Sequence, residues 1–407
     1  MRIVIATFHP NLIGGTEKYV QVILPALVER GHEVALLYEL PAASTQERID
    51  SHCAPLTSWC VEELGIEAVR QRLEHWKPDV VYSQGLRNGG VEDMLLDSQP
   101  VVLFAHEYYG TCGTGSKCHS FPRIQPCQRR FGPACLILHY PRHCGALDPR
   151  EAWETFRRQA GRHSRLPRYR SMLVASAHMR DEFLRHGLPR EQVHLAPLPG
   201  DKLSGDLAPR EPRSSPARIL MISRLTPIKG GHHLIPAVIR ASQALGRPLE
   251  LTIAGDGPQL AALKQMAQRS GLPVEFTGWV DRQRKLDLLA GADLLAVPSL
   301  WPEPFGLVGL EAGAAGVPAV GYRVGGIPDW LIDGQTGELA PGDPPNINGL
   351  AQAIGRALGN DAHYRQLCQG ARLSSRKFNV AAHLEILEDV LIQARGASPQ
   401  PMQSVHA

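Results

Sequence analysis

Glu303 and Glu311 stand eight positions apart in PEPFGLVGLE, and their surroundings differ. Pro302 and Pro304 hold Glu303 in a loop, because proline restricts both itself and its predecessor. The small-residue stretch 307–316 suits a helix that carries Glu311 about two turns in, roughly 8 to 9 Å along the axis at 1.5 Å per residue. Between the two carboxylates, the free N–H groups at Gly306 and Leu307 open that helix and favour phosphate. Gly306 and Gly309 have no side chain to block a close approach. The arrangement suits a diphosphate with a hydroxylated group on either side. Arg224 and Lys229, in SRLTPIKG, supply two cations able to neutralise a departing diphosphate. His106 ends the apolar run VVLFAH, at the kind of strand end where open α/β sheets gather ligands. Each residue alone has a plainer reading: a surface glutamate, a solvated Arg–Lys pair, a histidine that satisfies a hydrogen bond. It is the whole string that favours a site.

Positioning these residues requires strands that break into loops at their carboxyl ends. An apolar run at 294–297 reads as a buried strand, stopped by Pro298 and Ser299. The run 317–322 reads as the next strand, with Gly325-Gly326 as a tight turn after it, completing a βαβ unit. Similar runs stand at 2–6, 77–83, 101–107, 171–176 and 193–195, and again at 217–222, 249–257 and 274–280. Tyr19, Val20, Ile23, Leu24 and Leu27 recur at helical spacing, so a helix should run to about Arg30, with Pro25 kinking or dividing it. Residues 197–216, rich in proline, read as a linker. The division expected is an amino-terminal Rossmann-like domain, 1–196, and a carboxyl-terminal one, 217–379. A last helix, 380–394, has Leu384, Leu387 and Leu391 on one face and should cross back onto the first domain. Residues 396–407 read as a flexible polar tail.

At these motifs the chain resembles a known family. The paired glutamates in EPFGLVGLE resemble those of retaining GT-B glycosyltransferases, most closely glycosyltransferase family four (group 1), and the likeness extends over nearly the whole chain. The resemblance implies two Rossmann-like domains with parallel sheets facing across a cleft, and sugar transfer from a nucleotide-diphosphate sugar with its anomeric configuration retained. It gives Arg224 and Lys229 to the donor diphosphate, although Ser223 stands where a glycine is usual. It gives His106 to the sugar, with Glu107 replacing the usual aspartate. Glu303 is expected to hold the sugar or phosphate side and Glu311 the ribose. Phe305, Gly306 and Leu307 lie between them. Gly255 and Val280 are placed near the base, and Gly15 in the loop GGTEKY near the phosphates or the acceptor. Asp329 stands where relatives often have glutamate. With no Asp-x-Asp motif, no catalytic metal is expected.

With 407 residues, the chain suits two domains of about 200 each. Hydrophobic content of 43% and charged content of 20% are those of a globular protein without a membrane span. The opening MRIVIATFHP reads as a first strand rather than a signal peptide, so a cytoplasmic location is expected. The +3 net charge conceals an asymmetry. Residues 117–170 carry 12 Lys and Arg against 3 Asp and Glu, a local +9 that leaves −6 for the remainder. Phe121, Phe131, Leu136, Ile137, Tyr140 and Trp153 are interleaved with those cations, a mixture that suits an anionic membrane surface. A solvated loop, or a wall for an anionic acceptor such as a lipid diphosphate, fits the same charge. Nucleic acid is disfavoured, since no nucleic-acid motif accompanies the charge.

Residues 108–170 form a long insertion of weak periodicity holding five of the eight cysteines: Cys112, Cys118, Cys127, Cys135 and Cys144. Their spacing lacks the paired C-x2-C of familiar zinc sites. Reduced, packed cysteines are therefore preferred to a zinc completed by His119, His139 or His143. Two other function classes compete with transfer. A nicotinamide-dependent dehydrogenase would need G-x-G-x-x-G after a first strand, which neither half has. A GT-B-fold epimerase, or a non-catalytic nucleotide-sugar-binding protein, would keep the fold without an acceptor. The acceptor expected for a transferase is a lipid-linked or polysaccharide glycan.

Overall fold

The computed structural model describes residues 1–43, 47–200 and 216–395, so most of the expected linker and the whole of the expected tail lie outside the described residues. Two parallel sheets organise the chain. The first is built from β1 (Arg2–Thr7), β2 (Glu33–Tyr38), β3 (Thr57–Cys60), β4 (Val80–Ser83), β5 (Val101–Ala105), β8 (Ser171–Val174) and β9 (Val193–Leu195). Their order is β3-β2-β1-β4-β5-β8-β9. Between β5 and β8 a two-stranded ribbon of β6 (Cys118–His119) and β7 (Gln125–Pro126) stands apart. The second sheet is built from β10 (Ala217–Ile222), β11 (Leu249–Ala254), β12 (Val274–Gly278), β13 (Leu294–Val297), β14 (Ala319–Tyr322) and β15 (Gly337–Ala340), in the order β12-β11-β10-β13-β14-β15.

The strands are short apolar runs because helices cover both faces of each sheet. On β1, Ile3 and Ile5 join the core on one face while Val4 and Ala6 join the core on the other. In both sheets the order reverses beside the first strand, between β1 and β4 and between β10 and β13. The crevices at those carboxyl ends are the places an α/β sheet offers a ligand. Both halves are Rossmann-like.

Pro25 does not divide its helix, which runs unbroken over Gly15–Glu29. The helix Val380–Arg395 buries His383, Leu384, Leu387, Val390 and Leu391 and packs against Gly15–Glu29, β4, β5 and β8 of the first domain. Tyr82 donates to Tyr19 (2.6 Å), Tyr19 donates to His383 Nε2 (2.7 Å), and His383 Nδ1–H donates to the Pro197 carbonyl (2.8 Å). That order follows from the carbonyl, which can only accept. Glu388 of the same helix accepts from His32 at 2.8 Å and pairs with Arg30.

The region 108–170 is more ordered than its weak periodicity suggests. It contains helices Ala134–Arg142 and Pro149–Arg165, the second capped by the Asp148 carboxylate, which accepts from Arg150 and Glu151 N–H. Part of its positive charge is structural. Lys117 is buried against Glu182, Arg162 lies over the Tyr109 ring, and Arg165 and Arg168 both bind Asp93. Among the described residues, no helix is long and apolar enough to cross a membrane.

Candidate active site

The carboxyl ends of β10 and β13 meet at the switch point of the second sheet, and the expected residues arrive there from two segments. Beyond β10 comes the loop with Arg224, then a single 3-10 turn, Pro227–Lys229. Beyond β13 comes the loop with Glu303, then the helix Leu307–Ala314. Lys229 Nζ donates to both oxygens of Glu303 at 2.8 Å. Ser299 Oγ and Trp301 Nε1 also donate to Glu303, at 2.9 and 2.8 Å. Burial pushes the Glu303 carboxyl up, but Lys229, Ser299 and Trp301 outweigh it, so its pKa falls below the ordinary range. Glu303 is a fixed anion.

The Gly-Gly turn holds that loop from behind. Gly326 N–H donates to the Glu303 carbonyl at 2.7 Å. Gly325 adopts φ +56°, and a Cβ there would lie 2.3 Å from the same carbonyl oxygen, so only glycine fits. Gly306, at φ +98°, opens the helix without a side-chain cap, which leaves the first N–H groups to a ligand. A cavity of about 40 Å³ lies in front of them, lined by Ser223, Lys229, Ser299, Glu303, Gly306 and Val308.

Glu311 differs in two ways from the sequence-based expectation. The helix begins at Leu307, so Glu311 is about one turn in rather than two. It is also ion-paired, with Lys18 at 3.1 Å and Lys285 at 2.5 Å. Burial lowers the Lys285 pKa and Lys18 pushes it the same way, while Glu311 opposes both. Lys18 belongs to the first domain, so this ion pair spans the cleft; Leu307 and Glu311 line a small cavity there with Lys18 and Tyr19. Asp329 spans it too. Its carboxylate accepts from Ala177 N–H at 2.7 Å, at the start of helix Ala177–Arg185.

On the facing wall, His106 Nε2–H donates to Gln84 Oε1 at 2.9 Å. Burial, reinforced by His383, lowers the His106 pKa to about 3, so the ring is neutral at physiological pH. Gln84 Nε2 is buried and lacks a hydrogen-bond partner among the described residues. Gly15 is exposed at the start of its helix, with open space where a Cβ would be.

The remaining expected residues sit less directly. The Phe305 ring is 1% exposed and packs on Phe378, so only its backbone faces the helix start. Gly255 is required for another reason than ligand approach: at φ +136° a Cβ would lie 1.9 Å from the Ser223 carbonyl. Val280 follows β12, partly exposed. Arg224 is exposed, and its side chain meets no acid among the described residues. The structure adds Lys18, Lys285, Gln84, Ser299, Trp301 and Trp330 to the site. Trp330 donates from Nε1 to the Phe305 carbonyl at 2.7 Å and covers Gly309, where a Cβ would lie 2.3 Å from the indole. Gly309 therefore admits a tryptophan.

Both halves of the chain match known glycosyltransferase families. Residues 207–374 match the model for glycosyl transferases group 1, and residues 13–201 match that for glycosyltransferase family 4. A glycogen synthase of Mycobacterium tuberculosis is 29% identical over 91% of this chain and 89% of its own. A GDP-mannose-dependent alpha-(1-6)-phosphatidylinositol dimannoside mannosyltransferase from the same species is 27% identical over 91% of each chain. Among solved structures, Anabaena HepE in complex with UDP and glucose superposes with a TM-score of 0.65 at 19% identity, covering 97% of this chain and 100% of its own. WaaG, a glycosyltransferase involved in lipopolysaccharide biosynthesis, gives 0.65 at 16%, with the same coverage. At those identities the structural likeness speaks for the GT-B fold alone.

Proposed function

Because the chain belongs to the group 1 glycosyltransferases of family 4, we propose that it moves a sugar, with retention of anomeric configuration, from a nucleotide-diphosphate sugar to a hydroxyl of a lipid-linked or polysaccharide glycan. The observation that carries this reading is the Lys229–Glu303 pair fixed beside an uncapped helix start at the switch point of the second sheet. In this reading the diphosphate lies on the N–H groups after Gly306, with Lys229 and Arg224 as its cations. Charge grows on that leaving group as the glycosidic bond breaks, so fixed donors stabilise the transition state more than the ground state. Glu311 accepts from the ribose hydroxyls. The nucleotide base rests near Gly255 and Val280, and the Gly15 backbone lies near the donor phosphates or the acceptor. His106, neutral and held by Gln84, meets the sugar from the opposite wall.

The acceptor and the location belong to the same proposal. The M. tuberculosis mannosyltransferase has a phosphatidylinositol dimannoside in its name. Here the excursion 108–170 exposes Phe121, Leu136, Ile137, Tyr140 and Trp153, with Arg123, Arg129, Arg130, Arg150, Arg157 and Arg158 also at the surface. Apolar side chains among cations suit the anionic inner face of a cytoplasmic membrane, where the enzyme would sit peripherally. The test has two steps. Thermal shifts with UDP, GDP, ADP and TDP should single out one diphosphate through linkage. The matching sugar nucleotide is then turned over and the product read by NMR. An inverted anomeric centre removes the retaining reading. Epimerised donor, or binding without transfer, gives the protein to the epimerase or nucleotide-sugar-binding class instead.

A further inference from the structure

The five clustered cysteines are all free thiols, and all five line one cavity of about 170 Å³. They reach it from separate places. Cys112 lies in the turn after β5, Cys118 on β6, Cys127 just past β7, Cys135 in the first turn of helix Ala134–Arg142, and Cys144 just past its end. Tight backbone turns aim two of them. Lys117 is left-handed, and its carbonyl accepts from Cys127 N–H at 2.8 Å. His143 is left-handed too, and Cys144 N–H donates to the His139 carbonyl at 3.0 Å.

This excursion has almost no core of its own. Between Tyr109 and Arg165, Cys118 is the only buried apolar side chain among the described residues. Units too small to bury a core are usually held by disulfides or metals, and these thiols form no disulfide. Among the described residues no group of three His, Cys, Asp or Glu is placed to hold one metal ion, so no mononuclear site of any metal is preformed. Thiols spread around a cavity suit a polynuclear centre, in which each thiolate binds its own iron.

We propose that Cys112, Cys118, Cys127 and Cys144 hold an iron–sulfur cluster that staples the excursion between β5 and β8. Cys135 is the spare thiol. Cys118, the most buried of the five, has Cys112, Cys144 and Cys127 as thiol neighbours, whereas Cys135 neighbours Cys144 but not Cys118. Without a metal all four are free thiols. Ligation replaces each proton with an iron bond and releases the proton to solvent.

The full-length protein, expressed with iron supplied and purified without oxygen, is analysed for iron, zinc and inorganic sulfide. Iron and sulfide in equal amounts, several per chain, support the cluster. Zinc without sulfide, or no metal, overturns it whatever the variants do. Cys112→Ser, Cys118→Ser, Cys127→Ser and Cys144→Ser should each lose most of the iron and the visible sulfur-to-iron absorption. Cys135→Ser, Cys53→Ser and Cys368→Ser should keep both, and loss of iron in these three would refute the ligand assignment.

Discussion

Replacing Lys229 with methionine keeps most of the side-chain volume and removes one charge from the Glu303 pair. The two side chains are 17% and 13% exposed, so the pair lies between a surface ion pair worth about 0–1 kcal/mol and a buried one that costs about 3–5 kcal/mol to break. Ser299 and Trp301 still donate to the carboxylate. A loss of about 2 kcal/mol follows, or roughly 4–8 °C in the melting temperature of a domain this size. The catalytic loss should be larger. One preorganised donor to a developing anion is worth about 100-fold or more in kcat, near 2.7 kcal/mol. Adding Glu303→Gln removes the stranded charge, so the double variant should regain most of the stability while kcat stays low. Calorimetry and steady-state kinetics on the single and double variants separate the two effects. If activity returns together with stability, Lys229 is only a counter-ion for Glu303 and its role toward the diphosphate is wrong.

Glu311→Ala should weaken binding of the nucleotide diphosphate by roughly 1.5–3 kcal/mol, the cost of a lost charged hydrogen bond; unchanged affinity by calorimetry in the folded variant removes Glu311 from the ribose. His383 gives a pH prediction. Burial holds its folded pKa at about 4, below the unfolded value near 6.5, so on acidification the unfolded chain binds the proton first. Its contribution to stability is therefore present above about pH 6.5 and lost as pH falls toward 4, at about 1.4 kcal/mol per unit. His383→Gln should flatten the melting-temperature profile over that window, and an unchanged slope would contradict the assignment. The exposed face of 108–170 should carry the protein down with anionic but not neutral vesicles, with release as salt rises; no sedimentation at low salt ends that reading.

The second domain was legible because its signals are local. A strand stopped by Pro298, a glutamate between two prolines and a Gly-Gly turn each announce themselves within a few residues. The observed strands at 294–297 and 217–222 match the apolar runs closely, and others end a few residues earlier than those runs. What the sequence hid was long-range. Lys18 and Glu311 are 293 positions apart, and nothing in GGTEKY marks its lysine as a partner for that carboxylate. Trp330 was hidden because the small residue that admits it, Gly309, reads equally as ligand access. Helix Pro149–Arg165 escaped for another reason. Its face is mostly charged, leaving little apolar periodicity, although Asp148-Pro149 is a recognisable start. The cysteine spacing likewise gave no sign that five thiols share one cavity.

The two glutamates are both paired in the structure, yet the pairings differ in what they permit. Lys18 is 28% exposed and Glu311 8%, so their bond lies between a surface ion pair of about 0–1 kcal/mol and a buried one. A ribose hydroxyl donating to that carboxylate returns roughly 1.5–3 kcal/mol, comparable with what Lys18 contributes. Lys285 can stay, since a carboxylate accepts several donors. Glu311 is therefore free to exchange a cross-domain partner for the donor, and its occupancy by Lys18 does not argue against the ribose role. Glu303 is different. Lys229, Ser299 and Trp301 together take up both of its oxygens, and Gly326 fixes its backbone. Breaking that set would strand a buried charge, at a cost of several kcal/mol. In the proposed reading, Glu303 is thus better suited to hold Lys229 toward the diphosphate than to let go of it for a sugar hydroxyl. That ranks Glu303 as the positioning partner of a cation and Glu311 as the exchangeable acceptor.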